Sequence, residues 1–205
     1  TGDVIDFIQI LGDVLDLGVP SDATVSLAKL TATGTKSSST FLRGDNTFAA
    51  GQGAYENQLL HVRDEKSSST TGGASSAGDN TRALNTVVTN EISSASLSSN
   101  QITLPAGTYF INGSAPIYKS NNHKAYLYNV TDSDKEIIGT VQYSDTSNDI
   151  QTNSFVYGRF TITGTKVFEF RQYVSVAKST NGLGIGYNVD STINIYANVM
   201  IWKVA

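Results

Sequence analysis

Apolar and polar residues alternate along most of the chain beyond residue 57. The clearest case is Ala83–Ile111, ALNTVVTNEISSASLSSNQITLPAGTYFI, where Ser- and Asn-rich corners interrupt the alternation and a Pro-Ala-Gly turn precedes the last run. A period of two is typical of strands that are buried on one face only. The pattern therefore indicates a β-sandwich or barrel, and no segment past residue 57 carries a helical stripe.

The same pattern predicts a series of short strands. They are Leu59–Arg63, Arg82–Glu91, Gln101–Leu104, Thr108–Tyr118, His123–Asn129, Glu136–Gln142, Phe155–Thr163, Lys166–Val174, Gly184–Tyr187 and Thr192–Val204. Thr163-Gly164-Thr165 predicts a tight hairpin between two of these runs. The Ser/Gly-rich segment Lys66–Asn80 has no apolar anchor and is expected to be a mobile loop. The fold class expected is an all-β jelly-roll sandwich of two antiparallel sheets.

Aromatic residues fall mostly inside the predicted strands. Tyr126 and Tyr128 share one face of a strand, and Phe168 and Phe170 share another, so we interpret both pairs as sheet-packing residues. Where aromatics occupy both faces, as at Tyr157 and at Phe160, one face is expected to contact another subunit.

The first 56 residues predict a different organisation. In residues 1–18 an apolar stripe at Val4, Ile8, Leu11 and Leu15 predicts a short amphipathic helix that docks or oligomerises, or else packs on a neighbouring domain. Residues 19–56 are a Ser/Thr/Gly-rich stem or connector, and residues 57–205 are the jelly-roll domain. Arg43-Gly44-Asp45 is an adhesion-like tripeptide, but with Asn46 it is better explained as turn chemistry.

Composition narrows the class of protein. The chain has 205 residues, 39% of them hydrophobic and 16% charged, with a formal net charge of −4 and no cysteine. Scattered lysines and arginines argue against nucleic-acid binding. Absent cysteines favour a product assembled in a reducing cell. Aspartates at positions 6, 13 and 16 interrupt Val4–Leu17, so we expect neither a signal peptide nor membrane insertion.

Catalytic chemistry is not evident in the residues. The two histidines, His61 in a predicted strand and His123 in a predicted turn, accompany no nucleophile motif. The acidic loops Asp132–Asp134 and Asp145–Asp149 leave loose calcium binding open as an alternative, but they are better explained as solvated turns. We therefore expect no enzyme activity, no cofactor and no metal, although a pair of glycosidase carboxylates stays open.

Several segments together resemble one protein family. They are NQLLHVRDE, TRALNTVVTNEI, LSSNQITLPAGTYFI, APIYKSNNHKAYLYNVTD, SFVYGRFTITGTKVFEFRQYVS and INIYANVMIWKV, which span Asn57–Val204. In order and spacing they resemble the C-terminal tip domain of bacteriophage tail fibres, and Thr33–Ala49 resembles the connector that precedes such tips. The resemblance implies a jelly roll like that of tumour necrosis factor and the complement globular head, assembled as a homotrimer with Trp202 near the threefold axis.

The function expected from this resemblance is host attachment by a virion fibre or spike tip that binds a surface receptor, most simply a glycan. Candidate receptor-binding residues, chosen by loop position, are Lys119, Asn121, Asn122, His123, Lys124, Asn148, Asp149 and Asn181. Candidate trimer contacts are Val4, Ile8, Leu11, Leu15, Tyr157, Tyr196 and Trp202. The alternatives are a head fibre, tail-needle knob or capsid decoration protein docked through its N-terminal segment, an enzymatic tip, and a secreted cytokine-like ligand.

Overall fold

The computed structural model describes residues 2, 31–38, 40–50 and 58–204. The predicted helix of residues 1–18, with its stripe of Val4, Ile8, Leu11 and Leu15, lies outside the described residues. The chain divides into two compact units, Thr1–Gln52 and Gly53–Ala205.

The described part of the first unit is a small hairpin. Strands β1 (Thr40–Leu42) and β2 (Phe48–Ala50) pair antiparallel. In the turn between them, Asp45 Oδ1 accepts hydrogen bonds from the backbone N–H of Thr47 at 3.1 Å and from its hydroxyl at 2.6 Å. Asn46 has a φ of 60°, which asparagine tolerates better than most residues. The turn predicted around Arg43-Gly44-Asp45 is confirmed.

The second unit contains two antiparallel sheets. The first sheet has the order β11-β8-β13-β3-β5, and the second has the order β10-β9-β12-β7-β6 with β4 beside β12. The strands are β3 (Gln58–Lys66), β4 (Gly78–Thr81), β5 (Thr86–Asn90), β6 (Ser96–Ser98), β7 (Gln101–Leu104), β8 (Gly107–Tyr118), β9 (Asn121–Asn129), β10 (Asp134–Ser144), β11 (Gln151–Ile162), β12 (Lys166–Val174) and β13 (Asn194–Lys203).

Strand pairing in this unit follows a jelly roll. The pairs β9–β10, β8–β11, β7–β12 and β3–β13 are those of a chain folded once into a long hairpin and then rolled over two sheets. The all-β sandwich expected from the alternation is confirmed. Within the described part of the chain, no helix has the length and apolar character needed to cross a bilayer.

The core lies between the sheets and is filled by the inward positions of both. Phe160 of the first sheet contacts Phe168 of the second edge-on, with 5.6 Å between ring centroids, and stacks on Tyr109 at 5.5 Å. Gly113 is required opposite Phe170, because a Cβ there would lie 2.8 Å from the phenyl ring. Phe168 and Phe170 are both fully buried, which confirms their predicted shared face.

Two local predictions are wrong. Thr163-Gly164-Thr165 joins β11 to β12, yet these strands belong to different sheets, so the turn is a sheet-to-sheet crossing and not a hairpin. The alternation of apolar and polar residues shows which face of each strand is buried, but it does not show whether two strands pair with each other. Gly184–Tyr187 forms no strand. Ile185 and the preceding Leu183 belong instead to the long β12–β13 loop at one end of the sandwich.

The segment Lys66–Asn80 is packed, contrary to the expectation of a loop without anchors. Ser75 is buried, and its backbone N–H donates to the carbonyl of Lys178 at 2.9 Å. β4 begins at Gly78 and pairs with β12. The anchors are therefore backbone hydrogen bonds, which a search for apolar side chains does not detect.

Candidate functional site

The three loops that hold the predicted binding residues meet at one end of the sandwich. Lys119, in the β8–β9 turn, places its Nζ 2.6 Å from Asp149 Oδ1 in the β10–β11 loop. The backbone N–H of Tyr118 donates to the carbonyl of Gly182 in the β12–β13 loop at 2.9 Å. These contacts bring the three loops together at that end, with Lys119 and Asp149 in direct contact.

Polar groups in this loop cluster are largely satisfied within the chain. Asp149 accepts from the Lys119 ammonium and from the Tyr118 hydroxyl, at 2.5 Å, and these two hydrogen bonds hold its pKa below the usual range. Asp145 accepts from the backbone N–H groups of Asn148 and Ser147, which lower its pKa likewise. Among the described residues, no group of three or more histidines and carboxylates could hold a metal ion. The carboxylates of Asp145 and Asp149 therefore fix the conformation of the β10–β11 loop through hydrogen bonds within the chain.

His123 lies in β9 and is only 2% exposed, so its predicted position in an exposed turn is wrong. Its Nδ1 is 3.1 Å from Gln172 Nε2, and its Nε2 is 2.9 Å from the Thr152 hydroxyl oxygen. Burial lowers the pKa of His123 to about 4, so the ring is neutral at pH 7. The strand begins at Asn121, two residues earlier than predicted, and His123 shares its inward face with the buried Ala125 and Leu127, since residues two apart lie on the same side of a strand.

The contact between His123 and Thr152 is not a nucleophile–base pair. Gln172 Nε2 donates to Nδ1, so the ring proton is on Nε2 and is donated to the Thr152 oxygen. The Thr152 hydroxyl in turn donates to the carbonyl of Tyr143 at 3.1 Å. A histidine in this tautomer cannot accept the threonine proton, and the arrangement is structural.

Gln172 also belongs to a polar network that crosses the interior. Its Oε1 accepts from Arg82 Nη1 at 3.4 Å, and Arg82 Nη2 lies 3.4 Å from Asp64 Oδ2 and donates to the carbonyl of Leu183 at 2.9 Å. Arg82 and Asp64 are fully buried. Burial lowers the pKa of Arg82 to about 10, partly opposed by Asp64, so the guanidinium stays charged at pH 7. Sequence reasoning missed this pair, because the partners are 18 residues apart, with Asp64 on β3 of the first sheet and Arg82 directly after β4 of the second.

Above His123, on the outer face of the second sheet, is an open groove of about 170 Å³. It is lined by Asn122, His123, Lys124, Val141 and Tyr173. Register sets Tyr173, Lys124 and Val141 side by side across β12, β9 and β10. Within the part of the chain that the structure describes, the side chains of Asn122, Lys124 and Tyr173 have no hydrogen bond or ion pair. We call this the Lys124 groove.

Three of the predicted binding residues, Asn122, His123 and Lys124, thus line one concave site. Tyr173 and Val141 were not predicted there. Strand parity could have indicated Tyr173, since it lies an odd number of positions from the buried Phe168 and Phe170 and must face outward. Strand parity could not have indicated Val141 in the same way, because register irregularities in β10 shift its pairing with β9.

The rest of the outer face of the second sheet carries aromatic and charged side chains that contact each other. The Arg171 guanidinium lies 3.7 Å from the centre of the Tyr128 ring, and Lys135 Nζ lies 4.6 Å from that of Tyr126. Arg171 Nε also donates to Glu169 at 2.7 Å. These cations are therefore already engaged, unlike Lys124.

The outer face of the first sheet carries an apolar patch that is bordered by polar side chains such as Arg159 and His61. Phe110, Phe155 and Tyr157 are 38%, 44% and 62% exposed, and Met200 and Trp202 lie beside them on β13. Register places Tyr157 opposite Asn112, which is opposite Met200, while Phe110 is opposite Trp202 with 6.2 Å between ring centroids. We call this set of five side chains the apolar outer face.

Tyr196, predicted with Tyr157 and Trp202 as a trimer contact, does not lie on the apolar outer face. Its ring is 4% exposed, and its hydroxyl donates to the carbonyls of Thr70 at 2.6 Å and Ile185 at 3.1 Å. The cause is a register shift between Ile195 and Ala197. The extra residue reverses the alternation, so Tyr196 faces inward while Trp202 faces outward.

The second unit is therefore a jelly-roll sandwich with an apolar patch on one outer face, the Lys124 groove on the other and a loop cluster at one end. No protein-family model matches the chain, and no curated protein matches it. Among solved structures, it is similar to murine APRIL at pH 5.0, with a TM-score of 0.46 and 8% identity over 71% of this chain and 98% of that one. It is also similar to the globular domain of zebrafish complement 1qA protein, with a TM-score of 0.41 and 13% identity over 73% and 98%. With TM-scores below 0.5, these similarities carry no argument about function.

Proposed function

We propose that this chain is a bacteriophage virion protein, the distal tip of a fibre or spike, that adheres as a homotrimer to a glycan of the host surface. The proposal joins the family resemblance of Asn57–Val204 to one observation, the apolar outer face. Localisation on the virion, and attachment to other virion proteins through residues 1–18, are parts of the same proposal.

The apolar outer face supports self-association. Isolated apolar side chains on a surface are common, but five neighbouring large ones on a sheet face are typical of an interaction site. Tyrosine, tryptophan, phenylalanine and methionine are also the residues enriched where subunits meet. The expected occupant is a second copy of the chain, because a fibre tip is built from identical chains. A closed ring of three copies covers each face without leaving one open to propagate.

Trimerisation suits adhesion to a repetitive surface. Each chain contributes one loop cluster and one Lys124 groove, so a trimer carries three copies of each. Weak binding at each copy adds up to firm attachment, provided that the spacing of the surface glycan lets more than one copy bind at once. No catalytic step is required for this function.

The first test is the mass of the purified chain by sedimentation equilibrium. The proposal expects three times 21.8 kDa. A chain that stays at 21.8 kDa at micromolar concentration would remove the trimer from the proposal. Binding is then measured on an array of immobilised bacterial polysaccharides, both neutral and acidic, with the eluted glycans sized afterwards.

A trimer that binds the array without shortening the glycans supports adhesion. A trimer that binds no polysaccharide favours the alternative of a head fibre, tail-needle knob or decoration protein. Shortened glycans would instead indicate an enzymatic tip and contradict the expected absence of activity.

A further inference from the structure

The Lys124 groove brings together features that favour ligand binding. It is concave, it holds three polar side chains without partners in the described part of the chain, and one of them is a cation. Elsewhere on the same sheet Arg171 is paired with Glu169, and Lys135 lies over the Tyr126 ring. In the loop cluster, Lys119 is paired with Asp149. Lys124, in contrast to these three cations, lies in a groove and is available to a ligand.

We propose that the Lys124 groove binds one sugar unit that carries a carboxylate. The Lys124 ammonium has three donors for the carboxylate, and the Asn122 amide can both donate to and accept from sugar hydroxyls. The exposed ring of Tyr173 offers a flat apolar surface against which the C–H face of a sugar packs, while its hydroxyl remains free to hydrogen-bond. Val141 supplies an apolar wall on the opposite side.

The size of the groove limits the ligand. About 170 Å³ is less than the ~300–1,000 Å³ typical of sites that enclose a drug-sized molecule. The groove therefore holds a single sugar unit of a longer chain, and its open side lets the neighbouring units continue into solvent.

Charge placement sets the orientation of the sugar. Across the sheet, Asp79 is opposite Tyr173, and Tyr173 is opposite Lys124. With strands ~4.8 Å apart, Asp79 and Lys124 are about 10 Å apart at their backbones and on opposite sides of the tyrosine. A sugar over Tyr173 is thus expected to direct its carboxylate toward Lys124 and its hydroxyls toward Asp79.

The inference deepens the proposed function and rests on it, and two matched probes test it. Methyl glucuronide and methyl glucoside share one ring and differ in a carboxylate against a hydroxymethyl group. Each is titrated into the isotope-labelled chain, up to concentrations on the order of 10 mM, since single sugars bind weakly. We expect methyl glucuronide to shift the amide signals of Asn122, Lys124 and Tyr173, and methyl glucoside to bind about tenfold more weakly.

Variants separate the two kinds of contact. Lys124→Gln should weaken methyl glucuronide about tenfold and leave methyl glucoside within twofold, because only the ion pair is lost. Tyr173→Ala should weaken both sugars, whereas Tyr173→Phe keeps most of the binding. Lys135→Gln, which removes a lysine from the same sheet face outside the groove, is the control and should change neither affinity.

Equal affinity for the two sugars, signal shifts confined to other residues, or an unchanged affinity in Lys124→Gln would each overturn the inference. The polysaccharide array distinguishes this from failure of the proposed function. A trimer that binds neutral polysaccharides equally well with and without Lys124→Gln is still an adhesin, but through another site. A monomer that binds no polysaccharide removes the adhesin itself.

Discussion

The outer faces of the two sheets are built on the same alternating pattern and differ in what their side chains contact. On the first sheet, Phe155 and Tyr157 project outward with no ring or cation against them in the described part of the chain. On the second sheet, Tyr126 and Tyr128 are each covered by a cation from a neighbouring strand. Whether an aromatic ring at an outward strand position is covered therefore depends on its cross-strand neighbours. An uncovered ring is available for a contact, with a subunit in the proposed trimer or with a ligand as proposed at Tyr173, whereas a covered ring is already engaged.

The largest effect is expected when the same charged residue is placed on each of the two outer faces in turn. Tyr157→Lys should dissociate the proposed trimer, because a lysine amine would be buried without a partner in the contact. Tyr173→Lys, on the opposite sheet, should leave the mass unchanged. Sedimentation equilibrium of both variants at equal concentration measures the difference. If both variants lose the trimer, or neither does, the two faces do not differ as described.

A second comparison concerns arginines inside the sandwich and outside it. Arg82→Ala leaves Asp64 in the interior without its guanidinium partner and should cost about 3–5 kcal/mol of the free energy of unfolding. Arg171→Ala, which removes the exposed pair with Glu169, should cost about 1 kcal/mol or less. Urea unfolding of both variants gives the values. Equal losses would mean that the charged outer face of the second sheet is as much a part of the scaffold as the interior network.

The smallest of these effects is expected from protonation of His123, which lies beneath the Lys124 groove, as the pH falls. His123 has a pKa of about 4 when folded and near 6.5 when unfolded, so the unfolded chain binds more protons between these values. Its contribution is complete above pH 6.5, is lost as the pH falls from 6.5 to 4, and does not change further below 4. Discounted for solvent screening, the loss is roughly 2 kcal/mol.

Urea unfolding at pH 7 and pH 5 measures that slope. His123→Gln removes the titrating ring, so the variant should lose less stability between the two pH values than the unaltered chain. An identical slope in the two proteins would show that the pH dependence comes from other groups.

The sequence predicted which residues form strands and face the core better than it predicted which strands pair with each other. Alternation placed Phe168 and Phe170 in the core and identified Gln101–Leu104 and Lys166–Val174 with the bounds that the structure has. It did not predict which strands pair, because pairing in a jelly roll joins segments far apart in the chain. Thr163-Gly164-Thr165 was misread as a hairpin for that reason.

The candidate site was predicted in position but not in its chemistry. Loop order along the chain located Asn122 and Lys124, while His123 was taken for an exposed residue although it is buried. Lys119 is paired because the carboxylate of Asp149, in another loop, lies close to it, whereas Lys124 has no such neighbour among the described residues, and the sequence does not give these distances. The β-bulge that turns Tyr196 inward is equally invisible to a periodic pattern.

The pairing of β3 with β13 has a consequence for biosynthesis. β3 is the first strand of the sandwich to be made and β13 is the last, and β13 then lies between β3 and β8 in the middle of its sheet. Until β13 is inserted, β3 and β8 have no partner on that side, and the apolar outer face lacks Met200 and Trp202. A ribosome must therefore deliver nearly the whole domain before the surface proposed for assembly exists. Prematurely terminated chains would lack that surface, so their own geometry would keep them out of the proposed assembly without any proofreading factor.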